Sequence, residues 1–85
     1  MANITIYTSK LCGYCYRAKK LLDSKSVSYD EIGVDLSPAK RKEMTERAQQ
    51  TSVPQIFINE QHIGGCDDLY QLEQEGKLDA LLSAT

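Results

Sequence analysis

The pattern of hydrophobic and polar positions changes its period near the start of the chain. The first run, Ile4–Thr8, is rich in β-branched and aromatic residues, which predicts a short strand. From Tyr14 onward, Ala18, Leu21 and Leu22 fall on one face at helical spacing, which predicts an amphipathic helix. The chain therefore passes from a strand to a helix within a few residues.

The middle of the chain repeats this alternation. Positions 27–34 predict a second strand, whose end is weakened by Gly33. Ser37 and Pro38 are typical of an N-cap followed by proline at the first helical position. A polar helix with a thin apolar face should follow and run to about Gln50.

The last third of the chain predicts a hairpin and a final helix. Positions 53–58 form a strand that begins with a proline, which strands tolerate at that place. A turn at 59–61 and a short return strand at 62–63 should follow. Two glycines then break the chain before a helix over 66–75, with a short helical turn after it.

The resulting order is β-α-β-α-β-β-α. Alternation in the first half implies parallel pairing through a crossover, and the second half adds an antiparallel hairpin. We expect an α/β fold in which a mixed four-stranded sheet is flanked by helices, as one domain over residues 1–85.

Composition and charge narrow the functional classes. Hydrophobic residues make up 41% of the chain and charged residues 26%, which is ordinary for a globular protein and argues against disorder. A net charge of -2 gives no reason to expect nucleic acid as a partner. There is no apolar run of transmembrane length and no signal-peptide pattern, so we expect a cytoplasmic protein without a membrane partner. Its three cysteines should then be thiols used for chemistry or metal binding.

Cys12 and Cys15 form a Cys-x-x-Cys motif at the predicted junction of strand and helix, which is typical of a redox pair. The free N–H groups and partial positive charge of a helix N-terminus favour a thiolate at Cys12. Cys15 lies within the first turn, where its sulfur can reach the first. We therefore predict that Cys12 is the nucleophile and Cys15 the resolving thiol.

Two other interpretations of the pair were weighed. A structural zinc site needs four ligands, and outside the pair the chain offers only Cys66 and His62. A purely structural pair of buried thiols is disfavoured by Gly13 and Tyr14, because neither residue fills a core well at a helix start.

Three segments stand out together: Cys12-Gly13-Tyr14-Cys15, Ser52-Val53-Pro54 and Gly64-Gly65-Cys66-Asp67-Asp68-Leu69. They resemble the Cys-Pro-Tyr-Cys, Thr-Val-Pro and Gly-Gly-Cys-x-Asp-Leu segments of the glutaredoxin family, in particular of its short bacterial members, and the resemblance covers essentially the whole chain. The resemblance implies a thioredoxin-like fold and a monomer. It also implies that glutathione, kept reduced by glutathione reductase, is the co-substrate for reducing protein disulfides and glutathionylated thiols.

The resemblance also implies a glutathione site. Val53 and a cis Pro54 would present backbone groups to the glutathione cysteine, and the start of the last helix would hold its γ-glutamyl end. The implied contacts are Lys10, Tyr14, Gln50, Ser52, Val53, Pro54, Gly65, Cys66, Asp67 and Asp68. Simpler interpretations remain open: Asp67 and Asp68 as complements to the helix dipole, Pro54 as a strand-start proline, and Cys66 as a small buried hydrophobe or a regulatory thiol.

Two positions depart from the family pattern. Ser9 stands where a lysine is common, so Lys10 is the candidate for binding a carboxylate of glutathione, although alternation would turn it to the other face. Gly13 replaces the proline of the motif. Some relatives that lack this proline bind a [2Fe–2S] cluster between two monomers, so a cluster held by Cys12 and glutathione is the alternative function.

Overall fold

The computed structural model of the protein describes residues 3–83, and the strands and helices follow the predicted order. The elements are β1 (Ile4–Thr8), α1 (Gly13–Ser24), β2 (Asp30–Gly33), α2 (Pro38–Ala48), β3 (Gln55–Ile58), β4 (Gln61–Gly64), α3 (Cys66–Gln74) and α4 (Leu78–Ser83). The expected helical turn at the end is thus a short additional helix, α4. No helix within residues 3–83 is long and apolar enough to span a bilayer.

The strands form one four-stranded sheet in the order β2-β1-β3-β4. β1 pairs in parallel with β2 and antiparallel with β3, and β3 pairs antiparallel with β4. The predicted mixed sheet is therefore confirmed. The central strand β1 leads into the segment that contains Cys12, and Pro54 lies immediately before the other central strand, β3.

Strand bounds differ from the prediction at β2, at the start of β3 and at both ends of β4, which already begins at Gln61. β2 is shorter than 27–34, because β1 offers a parallel partner only from Thr5 to Thr8. β3 begins after Pro54, which has no backbone N–H to donate to a ladder. Gly64 does not break the chain, since it is the last residue of β4 and pairs with β3.

One face of the sheet packs against α1, α3 and α4. Alternate residues of β1 and β3 point to this side, as the period of a strand requires. The buried members of this core are Ile4, Ile6, Ala18, Leu21, Leu22, Ile56, Ile58, Cys66, Leu69, Leu78 and Leu82. Because α1 is anchored through three of them, the start of α1, where Cys12 lies, has a rigid base.

The opposite face packs against α2, whose apolar surface is small. Tyr7 and Phe57 from the sheet meet Met44 and Ala48 of the helix in a second core. This helix ends at Ala48, slightly before the predicted end, because the next residue takes a left-handed conformation with φ 58°.

Polar contacts supplement that thin apolar face. The Tyr7 hydroxyl donates a 2.5 Å hydrogen bond to Glu43 and accepts one of 2.7 Å from Arg47. The Arg47 guanidinium also lies 4.2 Å from the centroid of the Phe57 ring. A helix that looks too polar to pack is thus held to the sheet by charged side chains that reach over aromatic rings.

Candidate active site

Cys12 lies at the start of α1, where it is the N-cap residue with extended backbone angles (φ −133°, ψ 104°). Its sulfur accepts a 3.1 Å hydrogen bond from the backbone N–H of Cys15. The side chain is partly exposed. A sulfur that replaces the usual oxygen cap receives one of the free N–H groups of the helix, which is the environment expected for an attacking thiolate.

Cys15 has the opposite environment. It is only 1% exposed, within the first turn of the same helix. Burial, followed by hydrogen bonding to Cys12, raises the pKa of the Cys15 thiol to about 12. At neutral pH Cys15 is therefore a protonated thiol, and the two cysteines are chemically distinct before any substrate arrives.

Cys12 adjoins the loop that carries the Val53–Pro54 peptide bond, which is cis, as the resemblance implies. The Cys12 thiol lies 3.8 Å from the carbonyl oxygen of Val53 and donates to it. This contact brings together two motifs that are 41 positions apart in the sequence.

Val53 also lines a groove of about 290 Å³, here called the Pro54 groove. Its lining residues come from the start of α1, the loop before β3 and the start of α3: Tyr14, Gln50, Ser52, Val53, Pro54, Gly65, Cys66, Asp67 and Asp68. Every residue predicted to contact glutathione, apart from Lys10, thus lines one groove.

Lys10 instead lines a second groove, of about 550 Å³, on the other side of Cys12. This Lys10 groove is lined by Thr8, Ser9, Lys10, Cys12, Cys15, Tyr16, Lys19, Glu31, Gly33, Asp35 and Leu36. The local cause is Asp35, whose carboxylate accepts hydrogen bonds from the Ser9 hydroxyl and from the backbone N–H of Lys10. The sequence analysis missed Asp35, because its contact with Lys10 spans 25 positions and belongs to no motif.

Asp67 and Asp68, in the first turn of α3, have different roles. The Asp68 carboxylate accepts a 2.9 Å hydrogen bond from the backbone N–H of Gly65 and so caps the helix. Gly64 allows this with φ +120°, since a Cβ at that position would lie 2.2 Å from the Asp68 carboxylate oxygen. Asp67 is exposed in the same turn. Both aspartates are exposed, but Asp68 is used as a helix cap, so Asp67 is the acidic side chain of the groove that has no capping role.

Cys66, the third cysteine, is buried beneath the same helix turn. Burial raises its pKa, although the Arg17 guanidinium acts in the opposite direction. This environment is that of a small apolar side chain rather than of a reactive thiol.

Exposed apolar side chains surround the partly exposed Cys12. Leu11 is fully exposed, Leu36 is 88% exposed, and Tyr14 and Tyr16 are about half exposed. Large apolar side chains grouped around a nucleophile are typical of a surface that meets other molecules.

The family model for glutaredoxin matches residues 4–63. The chain belongs to the glutaredoxin family. It is 60% identical over 82 residues to glutaredoxin 3 of Escherichia coli (strain K12), which covers 96% of this chain and 99% of that protein. A glutaredoxin of Pseudomonas aeruginosa is 55% identical over 84 residues, covering 99% of this chain and all of that protein. The chain is thus close to the short bacterial glutaredoxin 3 type.

Solved structures agree with this assignment. A buckwheat glutaredoxin–glutathione complex has a TM-score of 0.88 at 33% identity, covering 96% of this chain and 77% of that one. The solution structure of a Brucella melitensis glutaredoxin has a TM-score of 0.85 at 52% identity, covering 96% and 89%. The fold is therefore thioredoxin-like, and the glutaredoxin family assignment makes the chain a thiol–disulfide oxidoreductase.

Proposed function

We propose that this glutaredoxin uses glutathione to reduce glutathionylated thiols and protein disulfides, with Cys12 as nucleophile and Cys15 as resolving thiol. The observation that carries the proposal is the Pro54 groove, which is lined by nine of the predicted glutathione contacts, one of which, Val53, lies with its carbonyl oxygen 3.8 Å from the Cys12 sulfur. Glutathione would in turn be kept reduced by glutathione reductase. The cytoplasm and a monomeric state remain predictions.

The chemistry of the groove fits a γ-glutamyl tripeptide with two carboxylates. The first backbone N–H groups of α3, at Cys66 and Asp67, would donate hydrogen bonds to the γ-glutamyl carboxylate. The side-chain carboxylate of Asp67 would bind the ammonium group of the same γ-glutamyl residue. The backbone of Val53 would pair with the cysteine of glutathione like an added strand. The Gln50 amide would bind the glycine carboxylate. Lys10 has no part in this arrangement, since it lines the other groove.

In the monothiol route, the Cys12 thiolate attacks the glutathione sulfur of a mixed disulfide. The S–S bond to the substrate breaks, the substrate leaves as a thiolate that takes up a proton, and Cys12 is left bonded to glutathione. A second glutathione thiolate then attacks the sulfur of the bound glutathione. Oxidised glutathione leaves and the Cys12 thiolate is restored, so one free glutathione thiol is consumed and the disulfide passes from the substrate to oxidised glutathione.

In the dithiol route, the Cys12 thiolate attacks a protein disulfide and releases one protein thiol. Cys15 then attacks the Cys12 sulfur, releases the second protein thiol and leaves a Cys12–Cys15 disulfide, which two glutathione thiols reduce as they become oxidised glutathione. Cys15 must lose its proton for this step, and its pKa of about 12 makes the thiolate scarce at neutral pH. The buried resolving thiol thus attacks slowly unless mixed-disulfide formation deprotonates it. We therefore expect glutathione to compete with Cys15 for the intermediate.

Reduction of a glutathionylated peptide, coupled to glutathione reductase, tests the proposal. Wild type and Cys15→Ser should turn over with glutathione, and Cys12→Ser should be inactive. A reaction without glutathione provides the baseline. Absence of turnover by the wild type, or full activity of Cys12→Ser, would refute the proposed function.

A [2Fe–2S] cluster held by Cys12 and glutathione across two chains is the second candidate. The observation in its favour is Gly13, where a Cβ would meet no atom within 4 Å, so the space beside Cys12 is open. A solved structure described as "Metal Binding of Glutaredoxins" is 50% identical with a TM-score of 0.75, covering 99% of this chain and 91% of that one. Within residues 3–83 no three His, Cys, Asp or Glu side chains gather as metal ligands, so one chain alone does not supply a ligand set.

Anaerobic reconstitution with iron, sulfide and glutathione tests this candidate. The expected product is a coloured dimer that loses its visible absorption in Cys12→Ser. Gly13→Pro is the matched variant, because proline is tolerated at the first helical position and would fill the open space. A colourless monomer from the wild type would exclude cluster binding.

A further inference from the structure

The polar side chain of Gln55 is completely buried at the start of β3, immediately after Pro54. A buried amide is costly unless its donors and acceptor are paired. Its nitrogen lies 3.0 Å from the carbonyl oxygen of Ser52 and 3.3 Å from both the Ser52 hydroxyl and the Gln50 amide oxygen. Its oxygen lies 2.7 Å from Nε2 of His62. Gln55 therefore joins the loop before β3 to the neighbouring strand β4.

The partners fix the direction of every bond in this network. The carbonyl oxygen of Ser52 can only accept, so the Gln55 atom that faces it must be the NH₂ group. The Gln55 oxygen then faces His62, which must carry a proton on Nε2 in order to donate. The His62 ring is held by packing on Phe57, with ring centroids 5.0 Å apart.

The same logic orients the side chain of Gln50. Its amide oxygen accepts from Gln55, so its NH₂ group is the end left to donate to a ligand. Gln50 also lines the Pro54 groove. An NH₂ group held in that orientation matches a carboxylate, whereas the flipped amide would present an oxygen and repel one.

We propose that Gln55 is a positioning residue that presets the Gln50 amide as a carboxylate donor and fixes the Ser52 backbone next to Val53. His62 contributes to this positioning because its ring N–H donates a hydrogen bond to the amide oxygen of Gln55. The inference rests on the proposed function, in which the carboxylate belongs to glutathione. It adds two residues that do not line the groove but decide which charge the groove accepts.

The central test is Gln55→Glu, which keeps the shape of the side chain and the acceptor for His62. A carboxylate oxygen then faces Ser52, and the Gln50 amide should turn its nitrogen toward the new charge. Losing one hydrogen bond to a charged ligand should raise the KM for glutathione by roughly tenfold, with little change in kcat. Gln61→Glu, at an exposed position of β4, is the matched control and should leave the KM unchanged.

A double-mutant cycle with Gln50→Ala separates positioning from a general structural effect. If Gln55 acts through Gln50, Gln55→Glu should raise the KM much less in the Gln50→Ala background. An equal rise in both backgrounds, or a loss confined to kcat, would overturn the inference. His62→Phe is a second route if the glutamate variant does not fold, because it keeps the ring packing and removes the donor to Gln55. It should raise the KM for glutathione in the same direction, and an unchanged KM would count against the network.

An NMR measurement without glutathione tests the network independently of activity. The His62 ring should carry its proton on Nε2, and Gln55→Glu should shift the side-chain amide signal of Gln50 while Gln61→Glu leaves it in place. An Nδ1-protonated neutral ring or an unmoved Gln50 signal would refute the network. A wild type that fails to turn over with glutathione but shows these signals would instead refute the proposed function.

Discussion

The carboxylate of Asp35 accepts a 2.7 Å hydrogen bond from the backbone N–H of Lys10. A second bond comes from the Ser9 hydroxyl, so one side chain in the loop after β2 holds the two residues that lead toward Cys12. Both bonds hold the pKa of the Asp35 carboxyl below its ordinary value, the Ser9 contact having the larger effect. The segment before the nucleophile is thereby attached to a neighbouring strand connection.

Asp35→Ala should lower turnover severalfold, because the segment before Cys12 loses both attachments and the nucleophile is less well oriented. Asp35→Asn keeps one acceptor oxygen and should have intermediate activity. Asp30→Asn, an exposed acidic residue on β2, is the control for the change of charge. The prediction fails if Asp35→Ala is as active as the wild type in the coupled glutathione assay.

The same carboxyl predicts a dependence of stability on pH. Since the folded-state pKa of Asp35 lies below the ordinary 3.8, its stabilising contribution is complete above about pH 4. It is lost as the pH falls through the lowered pKa. The difference in thermal midpoint between wild type and Asp35→Asn should therefore shrink below pH 4. A difference that stays constant down to pH 2.5 would contradict this.

Alkaline pH should destabilise the protein through Cys15. Its thiol is neutral when folded and ionises near pH 9 when unfolded, so its contribution is present below pH 9 and is lost as the pH rises toward 12. Chemical denaturation of wild type and Cys15→Ala between pH 7 and 11 measures this. The wild-type free energy of unfolding should fall more steeply, whereas Ser24→Ala, which removes no titrating group, should run parallel to the wild type.

Gly64→Ala should be destabilising by about 1–3 kcal/mol, since φ +120° is strained for any residue with a side chain. The new methyl group would also push the Asp68 carboxylate off the Gly65 N–H. Gly33→Ala is the matched control, because a Cβ there meets nothing within 4 Å and the backbone is ordinary strand. Urea denaturation should separate the two variants clearly, and equal stabilities would refute the packing argument.

Tyr7→Phe should cost about 1 kcal/mol of unfolding free energy, because the hydroxyl bonds to Glu43 and Arg47 are lost. Glutathione-dependent activity should be unchanged, since Tyr7 lines neither groove. Tyr29→Phe is the comparison, because its hydroxyl makes an exposed 3.1 Å bond to Asp23 and should matter less. A large loss of activity in Tyr7→Phe would contradict the prediction, because it would show that the contacts of Tyr7 with α2 affect the active site.

Local signals were sufficient for the order of the elements, whereas the residues of the Pro54 groove were predicted from the family resemblance. Ser37 is the N-cap of α2, as predicted, and its hydroxyl oxygen accepts a hydrogen bond from the backbone N–H of Lys40. The predicted hairpin is also correct, although its turn is one residue shorter than predicted: Asn59 and Glu60 are both at positive φ, and Gln61 already belongs to β4. These features depend on residues within a few positions of each other, which a sequence pattern can record.

Contacts between distant segments were not predictable in the same way. Nothing near Asp35 in the sequence indicates that its carboxylate reaches Lys10, and nothing near Gln55 indicates that a glutamine at the start of a strand is fully buried. The family pattern placed Lys10 with the glutathione contacts. The structure places it in the other groove, as strand alternation favours.

The burial of Cys15 and Cys66 has a practical consequence for counting thiols. A bulky aromatic disulfide reagent should meet one accessible sulfur, that of Cys12, on the folded reduced chain. After unfolding it should meet all three. The stoichiometry of the colour reaction therefore reports the folded fraction directly, and the protein carries its own conformational probe without any added label.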